Sequence, residues 1–442
     1  MAGNHVFRLM SDIEKAVLNY HQGGKVALGL PKQLKSVDDL CLAYTPGVAV
    51  AVKKIAAEPE CAFEYTAKGG VVAVVSDGTA VLGLGDVGPA AGIPVMEGKA
   101  VLFKSFANVN SWPVVLDHCR MGGESTGPTD PERVIAAVAA IAPMYGGINL
   151  EDIAAPACFE IEDRLAEMLD IPVFHDDQWG TAIIVLAAVK NFAALRGSEM
   201  AELDVVINGA GAAGMRIREM LMAGGVERVV MCDSKGVIYK GRAGDGEGSM
   251  KAKAAADTPA RSLAEAMKGA SVFIGVSKGD CVRKEWVAEM AEFPAIFALA
   301  NPDPEIRPEL VREAMAGREF VMATGRSDYP NQINNVLCFP FLFRGALDVR
   351  ARKITRGMKI AAAEALAEAA RRPAGEDVRA LYPAEKLEFG REYIIPKPFD
   401  KGIFTEVTLA VSQAAIADGV ARVAEFDAGA RRSALDAARK EF

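Results

Sequence analysis

The stretch Asp204-Val-Val-Ile-Asn-Gly-Ala-Gly-Ala-Ala-Gly214 decides the fold of this chain. Its first five residues are typical of a buried strand, and the residues after Gly214 continue with the spacing of a helix. A strand, a G-x-G-x-x-G turn and a helix in this order indicate dinucleotide binding, because the glycines allow a tight turn and a close approach of backbone to the pyrophosphate. We therefore expect the cofactor to lie against six consecutive residues, Gly209, Ala210, Gly211, Ala212, Ala213 and Gly214. The alternative is that these glycines serve only the turn.

An acidic residue after the next predicted strand bears on which dinucleotide binds. Asp233 follows Gly214 by 19 residues, where an acid usually contacts the adenosine ribose of NAD. The same carboxylate would repel the 2′-phosphate of NADP, whereas Ser234 and Lys235 could bind that phosphate. Both cofactors therefore remain open, and we favour NADP.

Predicted strands alternate with helices along the middle of the chain, at 204–208, 228–232, 271–276, 295–300 and 320–323. This alternation predicts a mostly parallel sheet with helices on both faces. Earlier strands are predicted at 71–75, 148–150 and 171–175. We expect an α/β protein with three parts: an N-terminal α/β catalytic domain over 1–175, a Rossmann-type doubly wound NAD(P)-binding domain over 176–345, and C-terminal helices over 346–442 that return to the first domain.

Local patterns add three expectations about individual elements. Ser11 with Glu14, and Ser36 with Asp39, have the spacing of a capping box and predict two helix starts near the N-terminus. The glycine-rich residues from 83 to 99 are predicted to form a tight loop region, and residues 241–259 a mobile loop.

Composition excludes several classes of protein. The chain has 442 residues and a net charge of −8 that is spread without a basic block, so we expect no nucleic-acid partner. The longest apolar run, 182–189, is much shorter than the roughly 18 to 20 residues that span a bilayer, so we expect no membrane segment. The first ten residues do not resemble a signal peptide, and seven cysteines without a C-x-x-C pair indicate reduced thiols. We therefore expect a cytoplasmic protein.

Two pairs of acids follow two short predicted strands. Glu151-Asp152 comes after one strand and Asp176-Asp177 after the other. The carboxyl ends of parallel strands meet at one edge of a sheet, so the four carboxylates can lie together there. A set of carboxylate oxygens suits Mg²⁺ or Mn²⁺ better than zinc. The alternative is that these acids cap the helices that follow, or lie in solvent.

Two further side chains are candidates for proton transfer. Tyr44 lies at the end of a predicted helix, and Lys99 follows the glycine-rich turn. If Lys99 lies beside a cation and out of water, its pKa falls toward neutrality and it can act as a base. Each residue alone is more often structural, and we expect His175 to be a packed residue beside the acids.

The assembled strings resemble the malic enzymes, particularly the small-subunit bacterial type and the catalytic part of the hybrid malic enzymes. The resemblance covers about residues 12 to 350 and rests on these motifs: Leu42-Ala-Tyr-Thr-Pro-Gly47, Ser76-Asp-Gly-Thr79, Gly83-Leu-Gly85, Gly98-Lys99, Gly147-Ile-Asn-Leu-Glu-Asp152, Phe174-His-Asp-Asp-Gln-Trp-Gly-Thr-Ala182, Leu299-Ala-Asn-Pro302 and Thr324-Gly-Arg-Ser-Asp-Tyr-Pro-Asn-Gln332. A phosphotransacetylase-like domain follows in the hybrids, and we expect it to be absent from this chain, which stops at Phe442.

The resemblance also implies a role for each matching residue. Glu151, Asp152 and Asp177 would bind the metal, and Asp176 would support that site. Lys99 would be the general base and Tyr44 the general acid. Asn301 and Asn335 would contact the substrate, with Asn334 close by, and Asn301 would also contact the cofactor. Large-subunit malic enzymes have a substrate-binding arginine where this chain has Ala80. Another cation must therefore bind that substrate carboxylate, and Lys68 and Arg326 are the candidates.

The activity implied by the resemblance is metal-dependent oxidative decarboxylation of L-malate to pyruvate and carbon dioxide with reduction of NAD or NADP. The resemblance further implies a homodimer or a larger homo-oligomer. Two alternatives stay open. One is a malolactic enzyme that releases lactate, and the other is a dinucleotide-binding regulator without catalysis.

Overall fold

The first sheet of the protein has four parallel strands. The structure is a computed structural model that describes residues 2–81, 83–123, 126–246, 248–423 and 425–439, with side chains from residue 12 onward. The strand order is β2-β1-β3-β4. The strands are β1 Val71–Ser76, β2 Asn110–Val115, β3 Gly147–Leu150 and β4 Val173–His175.

The second sheet has the order β10-β9-β8-β5-β6-β7, and neighbouring strands are parallel except for β6 and β7. The strands are β5 Asp204–Asn208, β6 Arg228–Asp233, β7 Gly236–Val237, β8 Val272–Gly275, β9 Ala295–Ala298 and β10 Val321–Thr324. The chain extends the sheet on one side of β5 and then crosses to the other side at β8. A crevice for a ligand opens at such a switch point, and the predicted doubly wound α/β fold is confirmed.

Helices cover both sheets. Those in the first half of the described chain are α1 Ala2–His21, α2 Val37–Ala43, α3 Val48–Ala57, α4 Ala62–Tyr65, α5 Pro89–Ala107, α6 Pro131–Ile141, α7 Ala157–Met168, α8 Asp176–Arg196 and α9 Ala212–Ala223. Those in the second half are α10 Met250–Ala254, α11 Leu263–Met267, α12 Lys284–Ala288, α13 Pro308–Ala314, α14 Phe339–Asp348, α15 Arg356–Arg371, α16 Glu376–Leu381, α17 Lys401–Ala417 and α18 Ala428–Ala438.

Three local expectations can be compared with these elements. Ser36 does cap α2, since its side chain accepts a hydrogen bond from the backbone N–H of Asp39. The predicted helix start at Ser11 is wrong, because α1 already begins at Ala2 and runs through Ser11. The 241–259 segment contains α10, so it is not a loop throughout.

The predicted loop around Lys99 is also wrong, because Lys99 lies within α5. Gly92, Pro94 and Gly98 are poor helix formers, and they obscured this helix in the sequence. A Cβ at Gly92 would lie 3.8 Å from the Cα of Gly78, so a small residue there lets α5 pack close to the loop after β1. Tertiary packing has overridden local propensity at this point.

Helix α14, which spans the expected domain limit at 345, packs on the first α/β unit. Phe103 of α5 makes edge-to-face contacts with Phe339 at 4.8 Å and with Phe343 at 5.4 Å between ring centroids. Phe174 of β4 contacts Phe343 at 5.9 Å. Such aromatic pairs contribute about 0.5–1.5 kcal/mol each beyond their buried area, so α14 is held firmly against α5 and β4.

By length and composition alone, two segments could cross a membrane. The segment 176–196 is α8, and 78% of its most apolar window is buried inside the protein, as in the core helix of a globular domain. The segment 37–57 is interrupted between α2 and α3, and none of its window is buried. It therefore presents an uncovered apolar surface.

Candidate active site

The four acids predicted from the two strand ends come together at one edge of the first sheet. Glu151 and Asp152 follow β3, and Asp176 and Asp177 form the first turn of α8 directly after β4. Carboxylate oxygens of Glu151, Asp152 and Asp177 all lie within 4.8 Å of one another. Asp152 has φ +53°, in the left-handed region that a non-glycine residue seldom adopts and that is frequent at functional sites.

This acidic cluster fits a divalent cation. Asp152 Oδ2 and Asp176 Oδ1 are buried and have no hydrogen-bond partner among the described residues, so the site offers free oxygen ligands. Other contacts orient the ligands: the backbone N–H of Asp152 donates to Asp177 Oδ2 at 2.7 Å, and Asn149 Nδ2 donates to Glu151 Oε2 at 2.9 Å. Buried oxygen ligands of this kind match Mg²⁺ or Mn²⁺.

Lys99 reaches the cluster from α5. Its ammonium lies 2.9 Å from Glu151 Oε1 and 2.5 Å from Asp176 Oδ2, and it also lies 4.4 Å from the centre of the Phe339 ring. Burial alone would lower the pKa of Lys99, but the negative charges of Asp176 and Glu151 outweigh it and raise the pKa above its ordinary value. The fall toward neutrality that we expected therefore needs additional positive charge.

Burial raises the pKa of every acid in the cluster, and neighbouring carboxylates add to the effect. Burial, followed by the charges of Asp177 and Glu151, raises the pKa of Asp152 to about 9. Burial raises the pKa of Glu151 to about 7 and that of Asp176 to about 7, against the opposing effect of Lys99. Without a cation, the protein therefore holds these carboxyl groups in an unfavourable environment.

The predicted substrate residues are only partly brought to the cluster. Asn335 lies beside the start of α8, because a Cβ built on Gly180 would collide with both Asp176 and Asn335. Asn334 caps the short turn that begins at Asn335, by accepting the N–H of Val336. Asn301 lies across from the glycine-rich loop after β1, with its carbonyl 3.5 Å from the Cβ position of Gly83.

Tyr44 is not brought to the cluster within one chain. It follows α2, a helix with no buried residue, and the side chain of Tyr44 is 67% exposed. Its predicted role as a general acid therefore stays a prediction.

The cations considered in place of Ala80 make other contacts. Lys68 Nζ donates to the carbonyls of Ala142, Pro143 and Tyr145, and Arg326 pairs with Asp328. Neither of them contacts the acidic cluster.

The glycines of the β5–α9 loop have the environments expected of a dinucleotide loop. Gly209 has φ +129°, which favours glycine. A Cβ on Gly214 would collide with the carbonyl of Gly209, whereas a Cβ on Gly211 would meet no atom within 4 Å. Gly214 therefore allows the helix to pack against the strand, and Gly211 leaves open space where a pyrophosphate can approach.

Asp233 ends β6, as predicted, but its carboxylate already accepts hydrogen bonds from other residues of the chain. Arg242 donates to both oxygens at 2.9 and 2.8 Å, and Lys251 donates at 2.7 Å. The backbone N–H of Lys235 donates at 2.9 Å. The guanidinium of Arg242 is the main reason that the pKa of Asp233 lies well below its usual range. Asp233 therefore carries its negative charge beside two cations.

Several residues that complete these sites were not predicted from the sequence. Arg242 and Lys251 lie in the segment predicted to be a mobile loop, and no local motif marks them. Asn149 lies inside β3 and appears as a strand residue, although the polar side chain in an apolar strand was a usable indication. Gly180 lies within the Asp-Asp-Gln-Trp-Gly string but carries no chemistry of its own.

His175 is packed, as expected. Its backbone N–H donates to Glu162 Oε1 at 3.0 Å, and burial lowers the pKa of its ring to about 4. Trp179 Nε1 donates to the other oxygen of Glu162 at 2.9 Å. The Glu162 carboxylate thus links β4 to the first turn of α8.

Metal binding and pH should affect the stability of this cluster together. The pKa of Asp152 in the folded chain, about 9, lies above its ordinary value of 3.8, so its contribution to stability is full below pH 4 and is lost as the pH rises toward 9. We predict that the melting temperature of metal-free protein falls between pH 5 and pH 8, and that Mn²⁺ restores it most at pH 8. Thermal melts with EDTA and with Mn²⁺ measure both effects.

Two variants sharpen this experiment. Asp152→Asn should melt higher than the unsubstituted protein without metal at pH 8, and should gain little from Mn²⁺. Asp257→Asn, at a strongly exposed acid, is the matched control and should respond to Mn²⁺ normally. An equal response to Mn²⁺ in all three proteins would contradict the assignment of the metal site.

Comparison with known families agrees with this geometry. Residues 27–166 match the malic enzyme N-terminal domain, and residues 179–388 match the malic enzyme NAD-binding domain. The chain is 49% identical to an NADP-dependent malic enzyme of Halomonas elongata, over 93% of this chain and 96% of the relative. It is also 49% identical to a probable NADP-dependent malic enzyme of Rickettsia prowazekii, but spans only 52% of that protein.

A solved structure extends the comparison to three dimensions. The malic enzyme of Pyrococcus horikoshii superimposes with a TM-score of 0.86 and 39% identity, covering 97% of this chain and 96% of the other. Two family domains in the expected order, a relative of the same length and a shared architecture lead to one conclusion: the chain belongs to the malic enzyme family.

Proposed function

We propose that this protein is a malic enzyme in activity, converting L-malate to pyruvate and carbon dioxide with a divalent cation and NADP. The observation that carries the proposal is the burial of Lys99 between Glu151 and Asp176, beside three acids whose oxygens can share one cation. A protein that only binds a dinucleotide needs no such arrangement. The names of the relatives from Halomonas and Rickettsia support the same reaction.

In this proposal, the residues of the chain have separate tasks. Lys99 Nζ takes the proton from the hydroxyl on carbon 2 of malate, and Asp176 orients the ammonium. Asn301 and Asn335 bind the malate carboxylates, and Asn334 positions the turn that carries Asn335. After carbon dioxide leaves, the hydroxyl of Tyr44, which the dimer proposed below would have to bring to the cluster, gives a proton to carbon 3 and completes pyruvate.

The bound groups supply the remaining chemistry: the nicotinamide accepts a hydride, and a cation held by Glu151, Asp152 and Asp177 withdraws charge from the substrate. Lys99 must lose its proton before it acts as a base. Positive charge added beside an ammonium lowers its pKa, which reverses the effect of the carboxylates on Lys99.

We also propose the domain limits 1–175, 176–345 and 346–442, with the site in the cleft between the first two. The strands of the two sheets lie on either side of the limit at 175, since β4 ends at His175 and β5 begins at Asp204. Closure of such a cleft excludes water before hydride transfer. The free cysteines of the described chain support a reducing, cytoplasmic location.

The activity is tested by following reduced nicotinamide with malate and Mn²⁺. We predict a signal that EDTA abolishes and that pyruvate accompanies in equal amount. Replacement Lys99→Ala should lower kcat by about 10²- to 10⁴-fold, because it removes the proposed base. Lys104→Ala, an exposed lysine further along α5, is the control and should keep kcat within about twofold.

Other products would favour the alternatives. Lactate without net reduced cofactor would indicate a malolactic enzyme. Binding of cofactor with no turnover of malate would indicate a regulator, and full activity of Lys99→Ala would exclude Lys99 as the base.

We propose that NADP is preferred over NAD because of the contacts of Asp233. Arg242 and Lys251 offset the charge that would otherwise repel a 2′-phosphate, and Lys235 follows Asp233 by two residues. A carboxylate that already accepts four hydrogen bonds is a poor acceptor for the ribose hydroxyls of NAD.

The cofactor proposal predicts a selective effect of Lys251→Gln. Removing one cation from the phosphate position should lower kcat/KM for NADP by about tenfold or more, with little change for NAD. Lys240→Gln, on the same segment but paired only with the exposed Asp257, is the control. A loss of kcat/KM that is equal for both cofactors would contradict the proposal.

We propose a homodimer whose interface covers the apolar surface of the N-terminal arm, residues 26–57. Leu28, Val37, Leu42, Tyr44 and Val50 of this arm are each at least two-thirds exposed. Large apolar side chains left exposed together on one segment are typical of an interface. Tyr44 would be covered along with it.

Light scattering in solution tests the assembly. We predict twice the mass of one chain for the unsubstituted protein, and dissociation for Val50→Asp. Met168→Asp, which places the same charge at an exposed side chain outside the arm, should remain dimeric. The mass of a single chain for the unsubstituted protein would refute the proposal.

A further inference from the structure

A cavity of about 580 Å³ lies where α7, α9, α10 and α15 meet, and its lining includes no residue of the acidic cluster or of the Gly209–Gly214 loop. The charged side chains on its wall are Asp163, Arg216, Arg218, Glu219, Lys253 and Arg356. Its volume is within the roughly 300–1,000 Å³ range of small-molecule sites. The cavity contains four cations and two acids, so it carries a positive charge.

Both acids of the cavity form ion pairs with the same cation, Arg216. Asp163 and Glu219 each pair with Arg216, at 3.3 and 2.9 Å. Arg218, Lys253 and Arg356 have no ion pair or side-chain hydrogen bond anywhere in the described part of the chain. Three positive charges of the cavity wall therefore have no ion-pair partner of their own in the described part of the chain.

Arg218 is the most informative of the three. Its Nε atom is buried and has no hydrogen-bond partner within the ranges that the structure describes. Placing a guanidinium nitrogen out of water without an acceptor costs free energy, and native structures usually avoid this arrangement. The planar guanidinium matches the paired oxygens of a phosphate or carboxylate group, which would provide that acceptor.

We infer that this cavity binds a small oxyanion with at least two negative charges, through Arg218, Lys253 and Arg356. Phosphate monoesters and dicarboxylates share this chemistry. The site is separate from the proposed catalytic centre, and the inference does not depend on the proposed function.

The cavity also contacts the start of α8 through Arg216. Arg216 Nε donates to Gln178 Oε1 at 2.9 Å, and its guanidinium stacks 4.4 Å from the centre of the Trp179 ring. Gln178 and Trp179 directly follow Asp177. An anion in the cavity changes the electrostatic environment of Arg216, and this change is transmitted to the indole of Trp179.

Binding can be measured by tryptophan fluorescence of the full chain at constant ionic strength, using glycerol 3-phosphate in one titration and succinate in the other. Trp112→Phe with Trp286→Phe leaves Trp179 as the reporter. We predict a saturable change with at least one of the two probes. Arg218→Gln and Arg356→Gln should each weaken binding about tenfold or more, whereas Arg379→Gln, at an exposed arginine on α16, should not.

The two probes distinguish the source of the oxyanion: a response to glycerol 3-phosphate alone assigns a phosphate site, and a response to succinate alone assigns a carboxylate site. Arg356 is exposed at the start of α15, so its variant keeps the test valid if Arg218→Gln does not fold. A linear response to both probes, or saturable binding of equal strength in Arg356→Gln and the unsubstituted protein, would overturn the inference.

Discussion

The structure depends on a balance of charge at the end of the first sheet, where one ammonium group faces four carboxyl groups. Lys99 contacts Glu151 and Asp176 directly, and Asp152 and Asp177 complete the cluster. All four acids have a raised pKa, and burial is the largest cause in each case. The positive charge of Lys99 alone therefore does not balance the four carboxylates. A buried set of like charges persists only when a further positive group belongs to it.

Each part of the fold contributes to this balance. Parallel strands bring Glu151 and Asp177 to one edge, and α5 carries Lys99 to them across the sheet. Helix α14 then covers the site, since Phe339 packs on Phe103 and also lies against the Lys99 ammonium. Removal of water from this region strengthens every charge interaction in it. Helix α14 is therefore part of the site as well as of the core.

The sequence predicted those features that depend on local order. The Gly209–Gly214 loop and the acids after two strands could be found because a strand end fixes where the next residues lie. Helix α5 could not be predicted from the sequence, because Gly92, Pro94 and Gly98 disfavour a helix and only packing stabilises it. The contacts of Asp233 with Arg242 and Lys251 depend on the path of a long connection, which no short pattern encodes. The role of Tyr44 depends on what covers an exposed arm, and a single chain does not contain that information.

Titration calorimetry of metal-free protein with Mn²⁺ at pH 7, repeated in buffers of different ionisation enthalpy, tests this charge balance most directly. Metal ligands must be deprotonated, so binding to carboxyl groups with raised pKa values must release protons. We predict one Mn²⁺ per chain, a net release of protons, and loss of this binding in Asp152→Asn. Binding without proton release, or with the same affinity in Asp152→Asn, would contradict the assignment of Glu151, Asp152 and Asp177 as the metal site.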